Sequence, residues 1–163
     1  MKISWMSLKV SITGARLSHL VQKDKIWDHG TMVEQVKNIF YKLKKAKNCG
    51  NINDLKKYLS INCFEKLVKE LDNLEKNGKK WVIKNLVIKE ASVIEVGEGK
   101  NNKPACFIAL LKVMGIEFIT SKDEAKELPS YSDRVRNFSE QWSFVRQGEW
   151  WVLDEIRAKD IDN

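Results

Sequence analysis

The chain has 163 residues, the length of one domain or of one domain with a short arm. Apolar residues make up 43% and charged residues 31%, which excludes a disordered chain. Lys and Arg number 29 against 22 Asp and Glu, a net charge of +7. Residues 1–89 hold 19 of the bases and 8 of the acids, net +11, while residues 90–163 hold 10 bases and 14 acids, net −4. No apolar run is long enough for a membrane-spanning helix. Cys49, Cys63 and Cys106 form no CxxC, and with only His19 and His29 beside them no metal-ligand spacing exists. Neither a metal nor another cofactor is expected. The three cysteines read as thiols of a reducing compartment, so the expected location is intracellular: cytoplasm or an organelle matrix, with or without membrane association.

Residues 1–26 form an N-terminal arm or amphipathic helix. Residues 1–23 carry no acid and four bases, with Ile3, Met6, Val10, Leu17 and Leu20 at helical spacing. Three readings fit: a transit segment, a helix lying on an anionic membrane surface, or a helix covering the domain's own core.

A 3.6-residue period predicts a helix over Thr31–Lys47, with Met32, Val33, Val36, Ile39, Phe40, Leu43 and Ala46 inward. Thr31 and Glu34 read as its capping box, and Gly50 as its left-handed terminator. A short helix follows over Ile52–Leu59. A third starts near Asn62, with Asn62 and Glu65 as a capping box, and stops at Gly78. Lysines 37, 44, 56, 66, 69 and 76 read as lying off the buried stripes.

Beyond Gly78 the residues become β-branched. Trp81–Val96 predicts a long or broken strand, and Gly97–Asn102 a turn. Pro104–Ile119 predicts a second strand bent at Gly115. Residues 120–134 read as a charged loop. Asn137–Arg146 and Glu149–Ile156 read as two strands joined at Gln147–Gly148, with Phe138, Trp142, Phe144, Trp151 and Leu153 inward. Residues 158–163 form a frayed tail. Helices followed by antiparallel strands imply an α+β fold, with the helices packed on one face of a curved antiparallel sheet.

Two regions then carry a resemblance. Trp142-x-Phe144-x-Arg146, a turn, and Trp151-x-Leu153-x-x-Ile156 resemble the closing hairpin of the Tim44-like domain family, a branch of the NTF2-like cones. Trp27, Val33, Val36, Phe40, Leu43 and Ala46, then Asp54-Leu55, Tyr58-Leu59-Ser60 and Phe64, resemble the family's helical half. The likeness covers residues 27–157. It implies an NTF2-like cone that acts as a non-catalytic binding or scaffold module of a translocation or membrane-docking system. Its implied partners are anionic lipid at a membrane surface or a protein, with an apolar ligand in the cone. It also implies a homodimer through the sheet as an option. The motor-tethering role of the mitochondrial import protein is not carried over, because that role rests on a long N-terminal extension.

Small isomerases and dehydratases of the NTF2-like superfamily use an inward Asp or an Asp–His pair. Asp28-His29 is the nearest pattern, and it reads better as a loop or cap. Glu95, Glu117 and Glu140 are strand carboxylates able to point inward, where a helix lysine or Arg146 could pair with them. No catalytic residue is assigned; an enzyme and a ribosome- or RNA-associated module remain the alternatives. Expected pocket residues are Trp81, Phe107, Phe118, Trp142, Phe144 and Trp151. Lys42, Lys44, Lys45, Lys47, Lys76, Lys79 and Lys80 are the expected anionic-surface set. Nucleic acid is not expected: 18 of the 19 bases in the first half are lysines, which lack the guanidinium fork.

Overall fold

The computed structural model describes residues 4–127 and 134–159. Lys2, Ile3, Pro129 and the last four residues, to which expectations were attached above, lie outside these ranges. The elements run α1 (Trp5–Lys23), a 3-10 turn (Lys25–Trp27), α2 (His29–Cys49), a 3-10 helix (Asn53–Tyr58), α3 (Ile61–Lys76), β1 (Lys79–Gly97), β2 (Cys106–Ser121), α4 (Lys122–Glu127), β3 (Arg136–Gln147) and β4 (Trp150–Lys159). The four strands form one antiparallel meander in chain order. The α+β expectation therefore holds, with the helices collected on one face of the sheet.

Both capping boxes are replaced. Asp28, not Thr31, caps α2: its Oδ2 accepts from the Thr31 amide at 2.9 Å and from the Thr31 hydroxyl at 2.6 Å. Those bonds to Thr31 hold the Asp28 carboxyl below the usual range. Ser60, not Asn62, caps α3 through the Cys63 amide at 3.1 Å. The same hydroxyl donates to Asp154 Oδ1 on β4 at 2.8 Å, and the Ser60 amide donates to the Leu153 carbonyl. A cap two residues earlier thus ties α3 to the outer edge of β4, which would otherwise offer unpaired backbone groups. The expected loop at 120–134 opens instead with the last two residues of β2, followed by α4.

α1 lies against β1. Its inner face buries Thr13, Leu17 and Leu20, the Thr13 hydroxyl donates to the Ile94 carbonyl at 3.0 Å, and Arg16 reaches the Val96 carbonyl and Glu98. Its C-cap Asp24 meets Arg146 at 2.6 Å; that bond holds the Asp24 carboxyl low and the Arg146 guanidinium high.

The sheet's inner face is an alternate-residue set: Phe107, Ala109, Leu111 and Val113 on β2, and Phe138, Trp142 and Phe144 on β3. Phe107 and Phe144 stack at 4.8 Å, and Trp151 closes edge-on to Phe107 and to Trp27. The bend expected at Gly115 is present. Lys84 pairs with Ile116 and Val87 with Met114, so Asn85 and Leu86 together oppose Gly115. Asn85 takes a φ of 55°, and Gly115 a φ of 151°. A Cβ on Gly115 would stand 2.7 Å from the Asn85 carbonyl and 2.8 Å from Leu86 Cα. This bulge bends the long β1–β2 hairpin over the helices. Gly115→Ala is expected to cost about 1–3 kcal/mol, read as a lower urea midpoint, because backbone atoms and not a flexible side chain must give way.

Candidate functional site

Between α2, α3 and the inner face of the sheet lies a cavity of about 240 Å³. Leu43, Leu67, Ile156 and Ala158 supply its apolar wall, and Trp81 and Cys63 its softer edge. The polar lining is dense: Lys47, Lys66, Glu70, Glu117, Glu140, Asp154 and Glu155.

A buried ion triad forms one wall. Lys44 Nζ donates to Glu117 Oε1 at 2.9 Å and Oε2 at 3.0 Å, and to Glu140 Oε2 at 3.2 Å. The Lys44 side chain is 3% exposed and the two carboxylates 8% and 10%. Trp142 Nε1 donates to Glu140 Oε1 at 3.3 Å. Lys44 is therefore corrected from surface cation to core residue. It sits one turn beyond Phe40 on the apolar stripe of α2, and the two carboxylates opposite compensate its burial. The expectation of inward glutamates met by a helix lysine holds for Glu117 and Glu140; Glu95 is exposed.

Lys47 stands one turn nearer the cavity mouth, its ammonium 4.7 Å from the Trp81 ring centroid. Burial, with the charge of Lys44 second, holds its pKa below the usual lysine value. Trp81 Nε1 is buried without a hydrogen-bond partner among the described residues, a donor whose desolvation is uncompensated. Burial pushes the Cys63 thiol up to about 11, helped by the nearby Asp154 charge.

Of the six expected pocket aromatics, Trp81 lines this cavity. Phe107, Trp142, Phe144 and Trp151 are at most 1% exposed and fill the cone themselves, so they are core. Strand alternation turns Phe118 outward from its neighbour Glu117, and the Arg134 guanidinium lies 4.4 Å from its ring. His29 is exposed at the first turn of α2, beside an Asp28 already engaged as a cap, so the pair is no acid–base couple.

The expected anionic-surface lysines divide. Lys42 and Lys45 are exposed and line a separate groove of about 710 Å³ between α2 and the 3-10 helix, together with Lys56 and Lys57, which the sequence reading left out. Lys79 and Lys80 line a smaller recess of about 370 Å³, shared with Lys47 and Lys122. Lys76 is exposed at the end of α3. Adjacency of Lys56 and Lys57 to the Tyr58 step was the signal available for the groove.

Comparison with known proteins places this geometry in a family. The family model "Tim44-like domain" matches residues 13–158, from within α1 to the end of β4. The chain belongs to the Tim44-like domain family. Among solved structures, the intermembrane space region of the chloroplast protein ARC6 is similar, with 14% identity and a TM-score of 0.51 over 78% of this chain and 96% of that one. At that identity the likeness is one of fold. No curated protein matches. No helix among the described residues is long and apolar enough to cross a membrane.

Lys44→Met would leave two buried carboxylates without a cation, and is expected to cost about 3–5 kcal/mol in urea unfolding. Adding Glu117→Gln and Glu140→Gln should recover much of that loss. Cysteine chemistry gives an independent check on the cavity. Cys49 and Cys106 are exposed, so they should alkylate at mildly alkaline pH while Cys63 resists. A thiol with a raised folded pKa keeps its proton, so its contribution to stability holds below about 9 and is lost as pH climbs towards about 11. Peptide mapping by mass spectrometry after timed alkylation reads this order.

Proposed function

We propose that this protein is a non-catalytic binding module that docks peripherally on an anionic membrane surface, in an organelle or at another membrane, where it serves a protein partner. The observation that carries this reading is the outer face of α1. Trp5, Leu8 and Ile12 fall on one arc of the helix and are 70%, 42% and 60% exposed. Exposed Lys23 falls on the same arc, half-buried Lys9 borders it, and α1 contains no acidic residue. The face bearing Thr13, Leu17 and Leu20 already packs on β1, so this flanking stripe is surplus to the domain's own core. Apolar side chains with an exposed Trp, interleaved with cations, suit the headgroup–acyl boundary of an anionic bilayer. Lys76, Lys79 and Lys80 and the net charge of +7 add longer-range attraction.

The cavity is a poor host for the apolar guest expected above. Five of its lining residues are carboxylates, and an acyl chain would desolvate them without pairing. Nor does it favour the isomerase alternative, because Glu117 and Glu140 are both taken up by Lys44 and neither is a free base.

Flotation with neutral and anionic vesicles tests the reading. The protein should rise with anionic vesicles and progressively less as salt is added. Replacing Trp5, Leu8 and Ile12 by Ser should cut partitioning by about tenfold or more while the melting temperature stays put, since these side chains leave no hole in the core. Equal binding to neutral vesicles, or none to either, would overturn the membrane assignment.

A further inference from the structure

The groove between the C-terminal half of α2 and the 3-10 helix is distinct from both the α1 stripe and the cone cavity. Lys42 and Lys45, one turn apart on α2, form one wall; Lys56 and Lys57 on the 3-10 helix form the other. Asp54 is the acid among the lining residues, and the amide side chains of Asn51 and Asn53 complete the polar surface. Four ammonium groups around one concavity repel each other, and low-dielectric walls concentrate their field. Two exposed lysines outside the groove do meet carboxylates: Lys112 meets Glu90 at 3.1 Å and Lys122 meets Glu75 at 2.6 Å. Among the described residues, none of the four groove lysines makes such a pair.

Two of the four are also held in place. The Tyr58 ring carries the Lys42 ammonium at 5.5 Å and the Lys57 ammonium at 5.1 Å from its centroid. Tyr58 itself stacks on Trp150 at 6.4 Å. A ring that gathers cations from both walls lowers the entropy cost of presenting them together to a ligand.

We propose that this groove is a binding site for phosphate groups. Lysine suits phosphate as a compact point charge that needs no planar fork. A multiply charged group between two basic walls relieves their mutual repulsion, which a singly charged carboxylate does less well. The phosphate can belong to a lipid headgroup or to a soluble phosphoester, and the inference does not depend on α1 touching the membrane.

The test uses the full chain. Pyrophosphate is titrated calorimetrically at low salt, and binding to vesicles containing phosphatidic acid is measured in parallel. Lys42→Ala with Lys57→Ala, and separately Lys45→Ala with Lys56→Ala, should each weaken binding by about tenfold. A control with Lys89→Ala and Lys103→Ala, both exposed and outside the groove, removes the same charge and should change binding by no more than about twofold. Melting curves verify that each variant is folded, and the two groove pairs guard against a folding defect in either. Pyrophosphate binding lost in the groove variants, with vesicle binding unchanged, identifies a soluble phosphoester. Loss of vesicle binding that pyrophosphate also competes away identifies a headgroup. Equal weakening in groove and control variants, or no binding of pyrophosphate and no groove effect on vesicles, overturns the site. Flotation that fails in the α1 variant alone would bear on the membrane reading and leave this one intact.

Discussion

The triad of Lys44, Glu117 and Glu140 is the interaction on which the geometry depends. Its three members come from α2, β2 and β3, so it locks the central helix to the two middle strands of the sheet. Burying one cation with two carboxylates leaves one negative charge in excess, and such a group is weak evidence for stability. Its effect is on register. Sliding α2 by one residue would carry Lys44 away from both acceptors and leave three buried charges unmatched. An all-apolar contact between α2 and the sheet would tolerate that slip far better. Trp142 adds a directional constraint, because its indole N–H is satisfied by Glu140 only while the side chain lies flat in the core.

With α2 fixed, the other features follow. Phe40 and Leu43, beside Lys44, are held on the inner face of the sheet, and Trp142, Phe144, Phe107 and Trp151 fill the space around them. The remaining volume is the small cavity beyond Lys47, where the helices and the bent hairpin diverge. Its polarity is a consequence of the triad: two of its carboxylates are there to serve Lys44, and the Lys47 ammonium settles over Trp81 beside them. The cavity is thus an extension of a structural ion network rather than a greasy tunnel.

Much of this was legible in the sequence. The period of Met32, Val36, Ile39, Phe40 and Leu43 identifies α2, and the alternation of Phe138, Trp142 and Phe144 identifies the inner face of β3. The caps were misplaced by a few residues because Asp28 and Thr31, and Ser60 and Asn62, are all competent cap residues. Tertiary contacts decide between them, as the bond from Ser60 to Asp154 across 94 residues illustrates. Inward aromatics are readable from alternation, but whether they surround a space or occupy it depends on how closely the helices approach. Lys44 was misread for a related reason. A lysine beside an apolar stripe usually extends its charge to solvent, and only the meeting of two distant strands supplies the carboxylates that keep this one inside.

The charge asymmetry of the chain takes on a different meaning once the fold is known. The basic half and the acidic half are not two faces. Glu117 and Glu140, from the acidic half, are spent inside on Lys44; Glu98 and Asp154 bind Arg16 and Ser60 at the seams between helices and sheet, and Glu149 meets Arg146 within the β3–β4 hairpin. Two sets of the unneutralised cations sit in settings with different physics. On α1 the cations flank exposed apolar side chains, so the proposed binding there would gain from burial of hydrocarbon as well as from charge and should persist in part at high salt. In the groove beside the 3-10 helix the cations face one another across a polar concavity, so the proposed binding there would be almost wholly electrostatic and should fade steeply with salt. Charge counting cannot separate these surfaces; the distribution of exposed apolar area around the same lysines does.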